Sequence, residues 1–145
     1  MGRLQRRLAT ASLLLLAGGA AAPTSRADDA ADLAGRVSDA FASGSVSALS
    51  GLFPTDRKVA VTLDQIADLR GFVGAGPLVE AVRRYLDARS EVRFEAASSG
   101  HSGSARVKGT LVSRDRSGRR DRVGLVFSFE RIDGAWRAVE VRETG

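Results

Sequence analysis

The chain has no cysteine, one histidine, three prolines and only 6% aromatic residues. Without cysteine there are no disulfides, no thiolate metal sites and no lipid-anchored cysteine. One histidine and no thiol remove the usual donor sets of zinc. That histidine, His101, sits in a Ser/Gly turn. Gly100-His101-Ser102-Gly103 is followed by Ser104 where a nucleophile elbow needs glycine, and it lies between strands rather than between strand and helix. It reads as an exposed loop histidine. Asp115, Ser117 and Asp121 stand in a loop too short for a calcium hand, among arginines that oppose a cation. Gly71–Gly76 has the reverse spacing of a dinucleotide fingerprint and no long strand before it. The expectation is no catalytic residue, no metal and no cofactor.

Long apolar runs are also missing, with one exception at the start. Arg3, Arg6 and Arg7 precede the apolar stretch Leu8–Ala22, and Ser25-Arg26-Ala27 offers small residues for cleavage. This is the pattern of a secretory signal peptide. The run falls short of the roughly 20 residues of a membrane span. Arg6-Arg7 raises the twin-arginine route, but the residues after it favour the general one. The expected organisation is a signal peptide over residues 1–27, one domain over 28–145, export to the periplasm or medium, and no membrane span after cleavage.

Cleavage changes the charge argument. The whole chain has 22 basic and 17 acidic residues. Removing Arg3, Arg6, Arg7 and Arg26 leaves the basic and acidic totals nearly equal. The basic balance is therefore no sign of nucleic-acid binding.

The mature part opens with two helices. Leu33, Val37, Ala40 and Phe41 form an apolar stripe, Gly44 stops the first helix, and Ser45 caps a second that points Leu49 and Phe53 inward and ends at Pro54. Val59, Val61 and Leu63 alternate as a short strand. Asp64–Gly76 has no readable period. Pro77 is expected at the first position of a long helix with a stripe of Leu78, Ala81, Val82, Tyr85 and Leu86. Val92–Ala96, Ala105–Ser113 and Val123–Glu130 follow as strands separated by turn chemistry. Gly109 and Gly124 inside strands suggest bends or bulges. Helices set apart from a meandering antiparallel sheet define an α+β class, and a curved sheet wrapped around helices buries both apolar faces.

Arg122–Arg142 is expected to be the closing hairpin. A two-residue Asp133-Gly134 loop would set Phe127 opposite Glu140 and Phe129 opposite Ala138. A three-residue Ile132-Asp133-Gly134 loop sets Phe127 opposite Val139 and Leu125 opposite Val141. The apolar match favours the three-residue loop, with Gly134 left-handed in a bulge. Trp136 then falls on the outer face, opposite Glu130.

Ala42-Ser43-Gly44-Ser45-Val46-Ser47-Ala48-Leu49, followed by Leu52-Phe53-Pro54, resembles the opening of the nuclear-transport-factor-2-like, or cystatin-like cone, superfamily. Phe129-x-x-x-Asp133-Gly134-x-Trp136 is similar to its last hairpin. The resemblance covers most of the mature chain and is nearest to small secreted bacterial domains without a known function. It implies a cone fold and leaves activity open, since the superfamily spans isomerases, dehydratases, cyclases, transport factors and accessory domains. The steroid-isomerase-like members place an acidic base in the cone; here the inward positions Leu125, Phe127, Phe129, Val139 and Val141 carry no carboxylate.

Two surfaces follow as candidates. A cone pocket lined by Phe41, Phe53, Tyr85, Phe94 and Phe127 would suit a small apolar ligand. An outer-face patch of Val112, Val126 and Trp136, rimmed by charge, would suit a protein partner or a homodimer through the sheet. The arginines of the 114–122 loop could meet anions. The leading expectation is an exported, non-catalytic domain that binds an apolar ligand or a protein. The alternative is an isomerase, dehydratase or cyclase using the cone.

Overall fold

A computed structural model describes residues 26–97, 99–101 and 104–144, with backbone alone at 26–29 and 99–101. The expected signal peptide lies outside the described residues except for its last two. Among the described residues three helices, α1 (Arg26–Ser43), α2 (Val46–Ser50) and α3 (Ala75–Asp87), accompany seven strands. The strands are β1 (Val59–Leu63), β2 (Leu69–Val73), β3 (Ser90–Ala96), β4 (Ser99–His101), β5 (Ser104–Arg114), β6 (Arg120–Ile132) and β7 (Ala135–Thr144). They form one curved, unclosed sheet in the order β2-β1-β7-β6-β5-β3, with β4 also on β5. The α+β cone expected from the sequence is what the chain forms.

Local chemistry accounts for the helical part. Gly44 ends α1 at φ +63°, the left-handed stop that glycine makes without strain. Ser45 caps α2 by accepting from the Ala48 amide at 3.1 Å. Pro77 is not the first residue of α3, which begins two positions earlier behind Gly74. Within the first turn its missing amide still costs no helical bond. The buried stripe of α3 is Leu78, Val79, Val82 and Leu86, with Val79 taking the place expected for Ala81.

Asp64–Gly76 yields an edge strand. β2 pairs antiparallel with β1 through Leu69↔Leu63 and Val73↔Val59. The preceding turn is held by Glu143 at the far end of the chain, whose carboxylate accepts from the Gln65 and Ile66 amides at 2.9–3.0 Å. β1 runs parallel to β7, with Val61 beside Val141. The other strand pairs are antiparallel.

The β6–β7 hairpin departs from the expected turn. Ile132 pairs with Ala135, so the loop has two residues, and both have positive φ: Asp133 +52° and Gly134 +81°. That is the I′ geometry favoured by Asp-Gly, whose twist matches the strands. The apolar match is recovered further along. Phe129 faces Ala138, a bulge intervenes, and Phe127 then faces Val141. The extra residue at Val139 lets local turn chemistry and long-range burial both be satisfied.

The core fills the concave side. Phe41, Leu49, Phe53, Phe94, Phe127 and Phe129 all belong to one buried cluster beneath the helices. Full burial of such side chains is worth about 1.5–3 kcal/mol each. Arg36 fastens α1 to two other elements, donating to the Trp136 carbonyl at 3.2 Å and to the Gly51 carbonyl at 2.9 Å.

Candidate functional site: a filled cone and a charged outer face

The rings expected to line a pocket meet one another. Phe41 stacks on Phe94 at 5.7 Å between centroids, and Phe127 meets both edge-on at 6.0 and 5.9 Å. These are the favoured aromatic geometries. What space remains is a cavity of about 10 Å³, bordered by Phe41, Phe53 and Phe127 together with aliphatic side chains. That is at most one water, and an all-apolar wall offers it no partner. No titratable side chain lines the cavity.

Tyr85 is not part of that wall. It is half-buried, and the Arg89 guanidinium lies 4.3 Å over its ring centroid, a cation–π contact. Arg89 also pairs with Asp121, which Arg119 approaches at 3.5 Å. A carboxylate already engaged by two guanidinium groups is poorly placed to act as a free base. Ser113, opposite Asp121, is fully buried with no protein partner for its Oγ. The turn beyond is organised by Asp115, which accepts from the Ser117 hydroxyl at 2.6 Å and from the Ser117 and Arg119 amides. The Ser117 hydroxyl first, and then the Arg119 amide, hold the Asp115 carboxyl below its ordinary value. Among the described residues no group of three or more His, Cys, Asp or Glu is placed to hold a metal.

The outer-face patch is corrected by the hairpin. Trp136 pairs with Arg131, not Glu130, and shares its face with Ala138 and Phe129. It is half-buried against the core, with Arg131 5.2 Å above its ring and its indole N–H buried without a protein acceptor. The reason is the two-residue turn, which reverses the parity of every residue up to the bulge. Val112 and Val126 do lie on the outer face, but they are only 2% and 3% exposed. The three residues therefore form no common apolar patch. The most exposed large apolar side chain among the described residues is Phe72, 74% exposed on edge strand β2. It lies in the stretch without a readable period, where only the alternation of Leu69, Gly71 and Val73 around it could have marked a strand.

Charged side chains surround these two valines on the outer face. Lys108 and Arg142 flank Val126, and Arg93 and Arg122 flank Val112. Arg114 and Arg120 face each other at one end of the β5–β6 ladder. Glu95 is held below its usual range first by its hydrogen bond from Arg93, with Arg122 and Arg120 adding to the effect.

No protein-family model matches the sequence, and no curated protein is significantly similar to it. Solved structures do match. A DUF4783 family protein from Bacteroides fragilis superposes with a TM-score of 0.57 at 17% identity, over 74% of this chain and 92% of its own. An NTF-2-like protein of unknown function from Shewanella oneidensis gives 0.60 at 12% identity, over 79% and 95%. A protein with a ketosteroid-isomerase-like fold from Catenulispora acidiphila, solved with trimethylamine, gives 0.59 at 9% identity, over 78% and 84%. At these identities the likeness is one of fold. The chain has the nuclear-transport-factor-2-like, cystatin-like cone fold.

Proposed function

We propose that the protein is an exported, non-catalytic domain that recognises a macromolecular partner with its outer surface. The observation that carries this reading is the filled cone. A fold able to hold ligands has here closed its interior with Phe41, Phe94 and Phe127, leaving about 10 Å³. Ligand pockets are typically of several hundred cubic ångströms. The same filling weighs against an isomerase, dehydratase or cyclase, since the cavity wall carries no acid, base or donor. Export rests on the charged start, the apolar run and the small residues at 25–27. A homodimer through the sheet keeps its place among the partners to test, without Trp136 as its anchor.

Native mass spectrometry of protein recovered from the periplasm or medium tests this reading. The expected species has the mass of a chain beginning at Asp28, with no small molecule retained. A stoichiometric apolar ligand carried through purification would overturn it. Recovery of the full-length chain in the membrane would overturn the export part.

A further inference from the structure

We propose that the outer face of the sheet binds a linear polyanion, namely a polysaccharide bearing carboxylates along its length. The inference rests on the surface-recognition reading above and names the partner's chemistry. Its basis is charge segregation. Freed of its first residues, the chain has almost equal numbers of basic and acidic groups. One face nevertheless carries more basic groups than acidic ones.

Strand register shows how. Along one row Lys108, Val126, Arg142, Thr62 and Arg70 lie side by side on β5, β6, β7, β1 and β2. A cation thus recurs at every second strand, about 10 Å apart, the length scale of a disaccharide repeat. Arg106 sits two residues from Lys108 on the same face, and Arg120 and Arg122 continue the array along β6. Ion pairs occupy Arg93 and Arg122 with Glu95, Arg114 with Glu91, and Arg70 with Asp64. Arg106, Lys108, Arg120 and Arg142 make no ion pair among the described residues. The carboxylates on or beside this face are Asp64, Glu91, Glu95, Glu140 and, near the hairpin end, Glu130, fewer than the cations they stand among. Asp32, Asp39, Asp56, Glu80 and Asp87 lie on the helices and loops instead.

Other occupants fit less well. A protein interface has an apolar centre inside a polar rim, and here Val112 and Val126 are nearly inaccessible between charged neighbours, while the exposed Phe72 stands at the sheet edge rather than at the centre. A second copy placed face to face would bring basic rows against basic rows. The outer side of a curved sheet is convex, so a flat anionic membrane would touch it along a line only. A flexible chain can follow the curve, and guanidinium groups match carboxylates in bidentate geometry.

The test uses the mature protein with alginate and polygalacturonate as probes, and with dextran, a single-stranded oligonucleotide and phosphatidylglycerol vesicles as comparisons. Binding to both acidic polysaccharides is expected, weakening as salt rises. Lys108→Glu with Arg142→Glu should reduce it about tenfold or more, because exposed charge contacts act through screened attraction. Arg106→Glu with Arg120→Glu, at more exposed positions, should do the same if the first pair perturbs folding. Asp39→Lys on the helical side should not reduce it. The proposal is overturned if neither acidic polysaccharide binds at low salt, or if dextran binds equally. It is also overturned if both folded reversals bind as the wild type does, or if the oligonucleotide or vesicles bind more tightly. Failure here with a bare native mass leaves the surface-recognition reading standing. A retained small molecule removes that reading itself.

Discussion

Phe94 lies against the backbone of Gly109: a Cβ added there would stand 2.6 Å from the ring Cζ and 2.5 Å from the Glu95 carbonyl oxygen. Gly109 is thus neither a bend nor a bulge but the space into which the β3 ring packs. The carbonyl belongs to the neighbouring strand and cannot swing aside. Gly109→Ala is expected to cost about 1–3 kcal/mol, the usual range for overpacking, read by urea denaturation. Unchanged stability would mean that β3 and β5 are further apart than this contact requires.

Phe127 touches Phe41, Phe94 and Phe129 and borders a small apolar cavity of the cone. Phe127→Ala should destabilise by about 3–5 kcal/mol. It should also open an apolar space large enough for benzene, so that added benzene raises the variant's melting temperature and leaves the wild type unaffected. A loss under 1 kcal/mol, roughly the cost of a single methylene, would show that the cone was not packed around this ring.

At the tip of the hairpin, Gly134 has φ +81° and Asp133 φ +52°. An alanine forced into the left-handed region costs roughly 1–2 kcal/mol. Gly134→Ala should lower the melting temperature accordingly, whereas Asp133→Asn should be neutral or stabilising, since asparagine suits the first I′ position. Equal melting temperatures for Gly134→Ala and wild type would point to a different turn.

Asp115 supplies a pH signature. Its carboxyl is held below the ordinary aspartate value of 3.8 by the Ser117 hydroxyl and the Arg119 amide. A depressed folded value means that the unfolded chain binds the proton more readily. The contribution to stability is therefore complete above the ordinary value and lost as pH falls through the lower folded one. Asp115→Asn should melt below wild type near neutrality, with the gap closing at strongly acid pH. A gap that persists or widens in acid would contradict this assignment.

Much of the architecture was readable from short-range patterns. The stripe Leu33, Val37, Ala40 and Phe41, the stop at Gly44, the cap at Ser45 and the alternation Val123, Leu125, Phe127, Phe129 are governed by contacts within a few residues. Their periodicity states which face is buried before any partner is known. β2 was not readable in the same way, because Leu69–Val73 carries two of its five side chains outward at Arg70 and Phe72 and has Gly71 between them. Its existence depends on β1 alongside and on Glu143, far away in the chain, holding the turn before it.

The hairpin divides the two kinds of information most clearly. Asp133-Gly134 and the pairing of Phe127 with an apolar partner were both written in the sequence, as rival demands differing by one residue. Local turn energetics and core burial each have a preferred register, and no pattern along the chain states that a bulge will serve both. Only the assembled sheet, with Ala138 donating to the Leu52 carbonyl at 2.6 Å and Val141 seated beside Val61, settled where the extra residue goes. That placement turned Trp136 towards the core. Composition likewise stated only the totals of charge, whereas the row of cations on the outer face arose from strand order. Charge totals are local and additive, but their distribution in space is a property of the register.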